Sequence, residues 1–415
     1  MSLSRTDLIL LSVVPGTEAG RARLASLLPP DDWTRLLEKC RGHRIGPLLR
    51  RSIASLDARP SVPDHILDEL AEEARLSAAR HLSTSEETVR LCARLRSAGI
   101  EAFPLKGAAL IAGGYYPEAG LRQTSDIDLL VDPDRIGEAH ELLTGQGYRP
   151  LPGRRDLRPR QRLANEMNHL WPLRSPAGTI IELHHRAFHL SRREIDLDFR
   201  QISARAVSRT TESGVTIGLP SPQDLALHLI HHTMIDLQST ELALRTIADL
   251  HAIRRLHPAM TEDLRKLAVK FSCESIVECA LKLTDLLAEG TVDEIRKAEN
   301  DRSLGTLLRM LVSADHSVLA ESSRLFEYLD LSRRPFQKVG NLAALVFTRP
   351  EHMEQLYGRP PLGLRSLQYL IRPFDLIRRF PWRGLKPSSL LRVRRLRRLA
   401  RNELKGRRPE EREAT

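Results

Sequence analysis

The sequence predicts a mixed α+β fold, in which a small mixed sheet is carried between an N-terminal helical segment and a C-terminal helical region. Three observations predict it. Short aliphatic runs that read as strands are confined to residues 100–220. Helical periodicity fills the chain on both sides of them. Within 100–220 the strand runs alternate with short helical patterns, as in an α+β or mixed α/β unit. The 415 residues are enough for two to three domains or one elaborated core. The pattern divides them into 1–98, 99–220, 221–300 and 301–415.

The first segment reads as helices throughout. Leu24, Leu27 and Leu28 share one, and Trp33, Leu36 and Leu37 share the next, behind an Asp31–Asp32 cap. Ile45, Leu48, Leu49 and Ile53 follow. Pro63 opens a long helix that runs to Ser97, with a break expected near Ser83–Ser85, and Gly99 stops it. None of this segment looks chemical; it reads as packing. The apolar patch Leu8–Val14 is short and is followed by Pro-Gly-Thr-Glu rather than a small-residue cleavage site. It therefore reads as a core helix and not a leader.

Between 100 and 220 the expected order is a strand over Ile100–Leu105, a short helix over Gly107–Gly113 and a strand over Asp126–Val131. A helix capped by Pro133–Asp134 and ended by Gly147 comes next, then a strand over Tyr148–Leu151. His169–Arg174 and Thr179–Arg186 flank the turn signal Ser-Pro-Ala-Gly and read as a hairpin, and Val215–Leu219 is a last short strand. Helices return over Gln223–Asp236, Thr240–His257, Thr261–Phe271 and Ser275–Ala288, and the pattern stays helical but less regular beyond Asp301.

Composition narrows the function classes. The net charge is +11, but most arginines are interleaved with Glu and Asp on helices, so the excess reads mainly as solvated surface. The exception is Ser388–Arg401, a basic amphipathic helix candidate with Leu390, Val393, Leu396 and Ala400 on one stripe. It would rest on an anionic membrane or partner, or pack by its stripe on the preceding domain. Aromatics make up 4% of the chain, against a base-stacking nucleic-acid surface. Cys40, Cys92, Cys273 and Cys279 have neither disulfide nor zinc spacing, which fits a reducing, cytoplasmic setting. No run approaches the ~20 apolar residues of a membrane span.

The chemistry concentrates in LKGAALIAGGYYPEAGLRQTSDIDLLV, residues 105–131. Asp126 and Asp128 sit two apart in an aliphatic strand run, so they share a face. Paired carboxylates at the lip of a buried strand repel each other, and a divalent metal is the usual remedy. Glu182, in the strand run Thr-Ile-Ile-Glu-Leu-His, supplies a third carboxylate. Three carboxylates with a triphosphate make an octahedral Mg²⁺ (or Mn²⁺) site. Lys106 then reads as a phosphate contact, and Gly107 as a position where backbone approaches a phosphate at a helix start. Arg122 is placed to pair with a phosphate or with one of the aspartates, and Ser125 to bond the strand end.

The motifs K-G-A-A-L, G-L-R-x-x-S-D-I-D-L-L-V and I-E-L-H-H resemble the polymerase-β-like nucleotidyltransferase superfamily. Within it they are similar to the bacterial family called uncharacterised nucleotidyltransferases, seen near polysaccharide and peptide natural-product biosynthesis genes. The resemblance covers about residues 98–255 and includes the helical segment with Asp224, His228, His231, His232, Arg245 and Asp249. It implies transfer of a nucleotidyl group from an NTP donor to an unknown acceptor. The wider superfamily usually has Gly-Ser where this chain has Lys106-Gly107. Two alternatives stay open: a catalytically inactive nucleotide-binding scaffold of a biosynthetic assembly, and a toxin-like nucleotidyltransferase acting on RNA or protein.

The remaining polar residues carry weaker signals. His184 shares a strand face with Glu182 and reads as a substrate or supporting contact. His228, His231 and His232 have helical spacing that zinc can use, but a helix lining the cleft, bonded to substrate or to Asp249, is the preferred reading. Arg245 and Asp249 are one turn apart, so they either pair with each other or orient the site.

Overall fold

A computed structural model describes residues 3–13, 17–56, 61–151, 169–170, 172–187, 197–235, 244–271, 273–301 and 303–312. The expected basic helix Ser388–Arg401 and most of the region from 301 onward lie outside them. The mixed α+β class holds. Among the described residues a five-stranded mixed sheet has the order β1-β2-β5-β4-β3: β1 Ala102–Pro104, β2 Asp126–Val131, β5 Ile180–His184, β4 Leu173–Arg174 and β3 Arg149–Pro150. β2 and β5 are parallel and central, and the other pairings are antiparallel.

Alternation sorts β2 and β5 into two faces. Ile127, Leu129 and Val131 of β2, with Ile181 and Leu183 of β5, enter one core with Leu91, Leu95, Ile136 and Leu143. On the opposite face Leu130 joins a second core that runs from the N-terminal helices to Leu311. Asp126, Asp128, Glu182 and His184 lie on this second face by the same alternation. The carboxylates therefore open toward the helical parts of the chain.

Those parts interlock. The helix Arg5–Ser12 is a core element, with Leu8 to Leu11 at most 1% exposed, and its Ser4 cap exchanges bonds with Asp7. Buried Lys39 pairs with Asp7 and donates to Val312 O at 2.7 Å, tying the N-terminal segment to the helix Leu304–Val312. The helix Asp64–Ser97 spans 34 residues with no break at Ser83–Ser85. Its serine and threonine side chains are accommodated rather than disruptive: Thr88 donates to Thr84 O at 2.7 Å within the helix, and Ser77 donates to Gly120 O at 2.6 Å outside it.

Other boundaries shift by small amounts. Asp32 caps Trp33–Gly42 as expected, whereas Ile136–Gly145 starts without a side-chain cap. The hairpin across Ser175–Gly178 forms with shorter arms, Leu173–Arg174 and Ile180–His184. β7, Thr216–Leu219, pairs with a strand the sequence did not announce, β6 Val207–Thr210, whose residues are all exposed. The helix Pro222–Ile230 passes into a π-helical turn, His231–Ile235. No helix among the described residues is long and apolar enough to cross a membrane.

Candidate active site

Register assembles the acidic group. Parallel pairing sets Asp128 opposite Glu182, and Leu130 opposite His184. Ligand atoms of Asp128, Glu182 and His184 all lie within 4.8 Å of one another, and this is the one such converging group among the described residues. His184 Nε2 donates to Asp128 Oδ1 at 2.8 Å and lies 3.5 Å from Glu182 Oε2. Asp126 is half-buried at the first position of β2. Lys106 Nζ donates to Asp128 Oδ1 at 2.8 Å.

Charge coupling follows the geometry. Burial alone would raise the Asp128 carboxyl, but Lys106 and His184 hold it well below the usual carboxylate range. Asp126 is pushed up by burial and by repulsion from Asp128, only partly offset by Lys106. Glu182 is lowered against its burial by the bond with His184 and by the nearby His169. Burial would depress both cationic groups, yet the carboxylates carry Lys106 and His184 above their ordinary values. A bare cluster of this kind concentrates negative charge, and the chain sets its own cations against it.

The segment before β2 is shaped around Gly107. A Cβ there would sit 2.8 Å from Thr124 Oγ1 and 3.5 Å from an Arg122 guanidinium nitrogen. The space left by the glycine is thus used by Thr124 to seat the strand's entry loop. Lys106 itself has φ 47°, a left-handed backbone that is costly for a side chain other than glycine. Ser125 Oγ donates to Asp126 Oδ1 at 3.3 Å and accepts from Arg44 of the N-terminal segment at 3.2 Å.

Arg122 does not reach Asp126 or Asp128. Its Nε donates to Asp249 at 2.8 and 3.1 Å, and Tyr116 donates to the same carboxylate at 2.6 Å. Arg122 also donates to Gln123 O. Asp249 is therefore held from across the fold, although its spacing to Arg245 suits an intrahelical pair. The Arg122 guanidinium, depressed by burial alone, is raised by Asp249, and burial with the same carboxylate raises the Tyr116 phenol well above its ordinary value.

His228 and His231 are buried, and the rings of His228 and His232 stack at 6.3 Å. Burial, reinforced by the charge of Lys106, lowers His228 well below its ordinary value and His232 to about 3. Asp224 forms a separate structural bond set: Arg205 reaches it at 2.8 and 2.9 Å and Ser221 at 2.8 Å.

Sequence reading did not single out His169. Its Nδ1 donates to Leu170 O at 2.7 Å, and its Nε2 lies 3.9 Å from Glu182. Its ring centre is 5.1 Å from that of His184. Its lone signal in the sequence is a histidine at the start of the hairpin, too common a residue to distinguish.

The converging group Asp128, Glu182 and His184 could hold a metal ion, and Asp126 lies on the same face of β2 two residues before Asp128. The Lys106 ammonium against Asp128 marks where positive charge is stabilised. A family model described as uncharacterised nucleotidyltransferase matches residues 29–289. The chain belongs to this family. The polymerase-β-like placement drawn from the motifs is consistent with it. The uncharacterised nucleotidyltransferase match takes in β1 to β7, the helices through Glu274–Glu289 and much of the N-terminal segment. No curated protein matches the chain.

Proposed function

We propose that this member of the family is a metal-dependent nucleotidyltransferase that moves a nucleotidyl group from an NTP to an acceptor. The observation that supports this most is the β2–β5 register, which sets Glu182 beside Asp128 with Asp126 on the same face and Lys106 in contact. Asp126, Asp128 and Glu182 would hold the metal. When bound, such an ion neutralises phosphate charge and lowers the pKa of an attacking hydroxyl. In the transfer the acceptor oxygen bonds to the α-phosphorus, the bond to the β-phosphate oxygen breaks and pyrophosphate leaves.

The chain's own residues have distinct tasks in this reading. Lys106 supplies a point charge to a phosphate oxygen. His184, donating to Asp128, fixes the orientation of that carboxylate for its ligand role. Arg122, occupied by Asp249, braces the loop that enters β2, and Gly107 allows that loop to close on its helix.

Pyrophosphate release should be assayed for each NTP with Mg²⁺ or Mn²⁺, across a panel of hydroxyl, amine and phosphate acceptors. Metal-dependent release is expected from the wild type and its loss from Asp126→Asn, with the variant still folded by circular dichroism. Equal release from both proteins would overturn the proposal. A second reading, nucleotide binding without transfer, is favoured by one observation: Lys106 and His184 already offset the charge of Asp128. Saturable Mg²⁺–NTP binding with no pyrophosphate across the panel would support that reading.

A further inference from the structure

We infer that Arg44, from the N-terminal helical segment, binds the β- and γ-phosphates of the NTP. The inference rests on the nucleotidyl-transfer reading of the β2–β5 carboxylates. Among the described residues two non-glycine positions have positive φ: Lys106 at 47° and Arg44 at 54°. Both are cations. Both reach the acidic lip from separate parts of the chain, Lys106 at Asp128 and Arg44 at Ser125, the neighbour of Asp126.

A left-handed backbone is cheap for glycine and tolerated by asparagine, but costs of order 1 kcal/mol or more for a long side chain. The left-handed residue closes the helix Trp33–Gly42, with Arg44 N–H bonded to Arg41 O at 3.0 Å and Ile45 N–H to Cys40 O at 2.9 Å. Glycine is the usual residue there, so the choice of arginine and its guanidinium is the feature to explain. Its neighbours hold the conformation in place. His43 is buried, donates from Nε2 to Leu311 O at 2.7 Å and accepts from Leu244 N at 3.4 Å. Ile45 is fully buried, and its N–H bonds to Cys40 O at 2.9 Å. Arg44 stands exposed between these two anchors.

The charge of Arg44 is also unspent. No carboxylate among the described residues lies within ion-pair distance of it, and its guanidinium makes the one bond to Ser125. Arginine's planar fork of five donors suits phosphate oxygens, and Arg44 is exposed with its bond to Ser125, itself exposed next to Asp126. The loop it touches is seated firmly. Gln123 donates to Glu73 at 2.9 Å, and Gly120, with φ 88°, has no room for a Cβ against Ala78. The N-terminal segment thereby places a cation at the mouth of the site on a fixed base.

Arg44→Gly is the decisive variant, because glycine suits a φ of 54° and removes the guanidinium without straining the fold. Mg²⁺–ATP, –GTP, –CTP and –UTP are titrated calorimetrically into the full chain, and the matching NMPs are tested by displacement. The inference expects NTP affinity to fall about tenfold or more in Arg44→Gly. NMP affinity should stay unchanged, with the same or a higher melting temperature. Arg44→Lys, which keeps the charge but not the fork, should recover part of the loss. Unchanged NTP affinity in Arg44→Gly would overturn the role of Arg44 and leave the carboxylate reading standing. An equal loss for NMP would overturn the assignment to the β- and γ-phosphates. A wild type that binds none of the four NTPs would overturn both readings together.

Discussion

Lys106 and Arg122 each hold an aspartate, but in different surroundings. The Lys106 side chain is 20% exposed against an Asp128 that is 3% exposed, whereas Arg122 and Asp249 are 6% and 0% exposed. The second pair is also sealed by Tyr116. A cation in a sealed pair has no donors to offer a ligand, while one at an open edge can exchange its partner for a phosphate. Two basic residues that look alike in sequence are thus separated by burial into a sealed pair and an open-edged one.

The sharpest way to break this contrast is to unpair the sealed brace. Asp249→Ala leaves the Arg122 charge buried without its partner, and should cost about 3–5 kcal/mol, read as a lowered denaturation midpoint in urea. A stability change within ~0.5 kcal/mol would show that Arg122 is not committed to the fold. Lys106→Gly should behave oppositely. It relieves a left-handed backbone and leaves Asp128 bonded to His184, so its cost should stay below ~2 kcal/mol. Mg²⁺–NTP affinity should nevertheless fall about tenfold by calorimetry. A large stability loss with unchanged affinity would make Lys106 another brace.

Acid titration gives the smallest effect and bears on the histidines behind the site. Burial, with Arg186 adding to it, lowers His185 to about 4, and burial with Lys106 lowers His232 to about 3. Their folded-state values lie below the ordinary value of about 6.5. The unfolded chain therefore takes up protons first as pH falls. Their contribution is intact above about pH 6.5 and declines as pH drops toward about 4. Melting temperature should fall over that window, and His185→Asn should flatten the slope. An unchanged slope would show that His185 is not held neutral.

How much of this was legible in the sequence depended on whether a residue stood out from its neighbours. β2 matched its expected span, Asp126–Val131, because two carboxylates interrupt an aliphatic run that is buried on both faces. β6 was not legible, since Val-Ser-Arg-Thr is exposed throughout and carries no apolar alternation. The expected break near Ser83 was absent because tertiary packing on the loop at Gly120 and on the sheet outweighs local propensity. Arg44 was hidden for a different reason. It is one of 64 basic residues, and nothing in its neighbours indicates a left-handed backbone or proximity to Ser125. His169 was likewise invisible until the hairpin brought it beside Glu182.

The central claim is that β2 and β5 jointly hold a metal-bound nucleotide, and Glu182 tests it most directly because β5 contributes it. Mn²⁺ binding to the full chain is followed by electron paramagnetic resonance, with and without NTP, for the wild type and Glu182→Gln. The account predicts saturable binding that NTP strengthens, and a loss of more than about tenfold in Glu182→Gln with the fold retained. Equal Mn²⁺ affinity in the two proteins would contradict it.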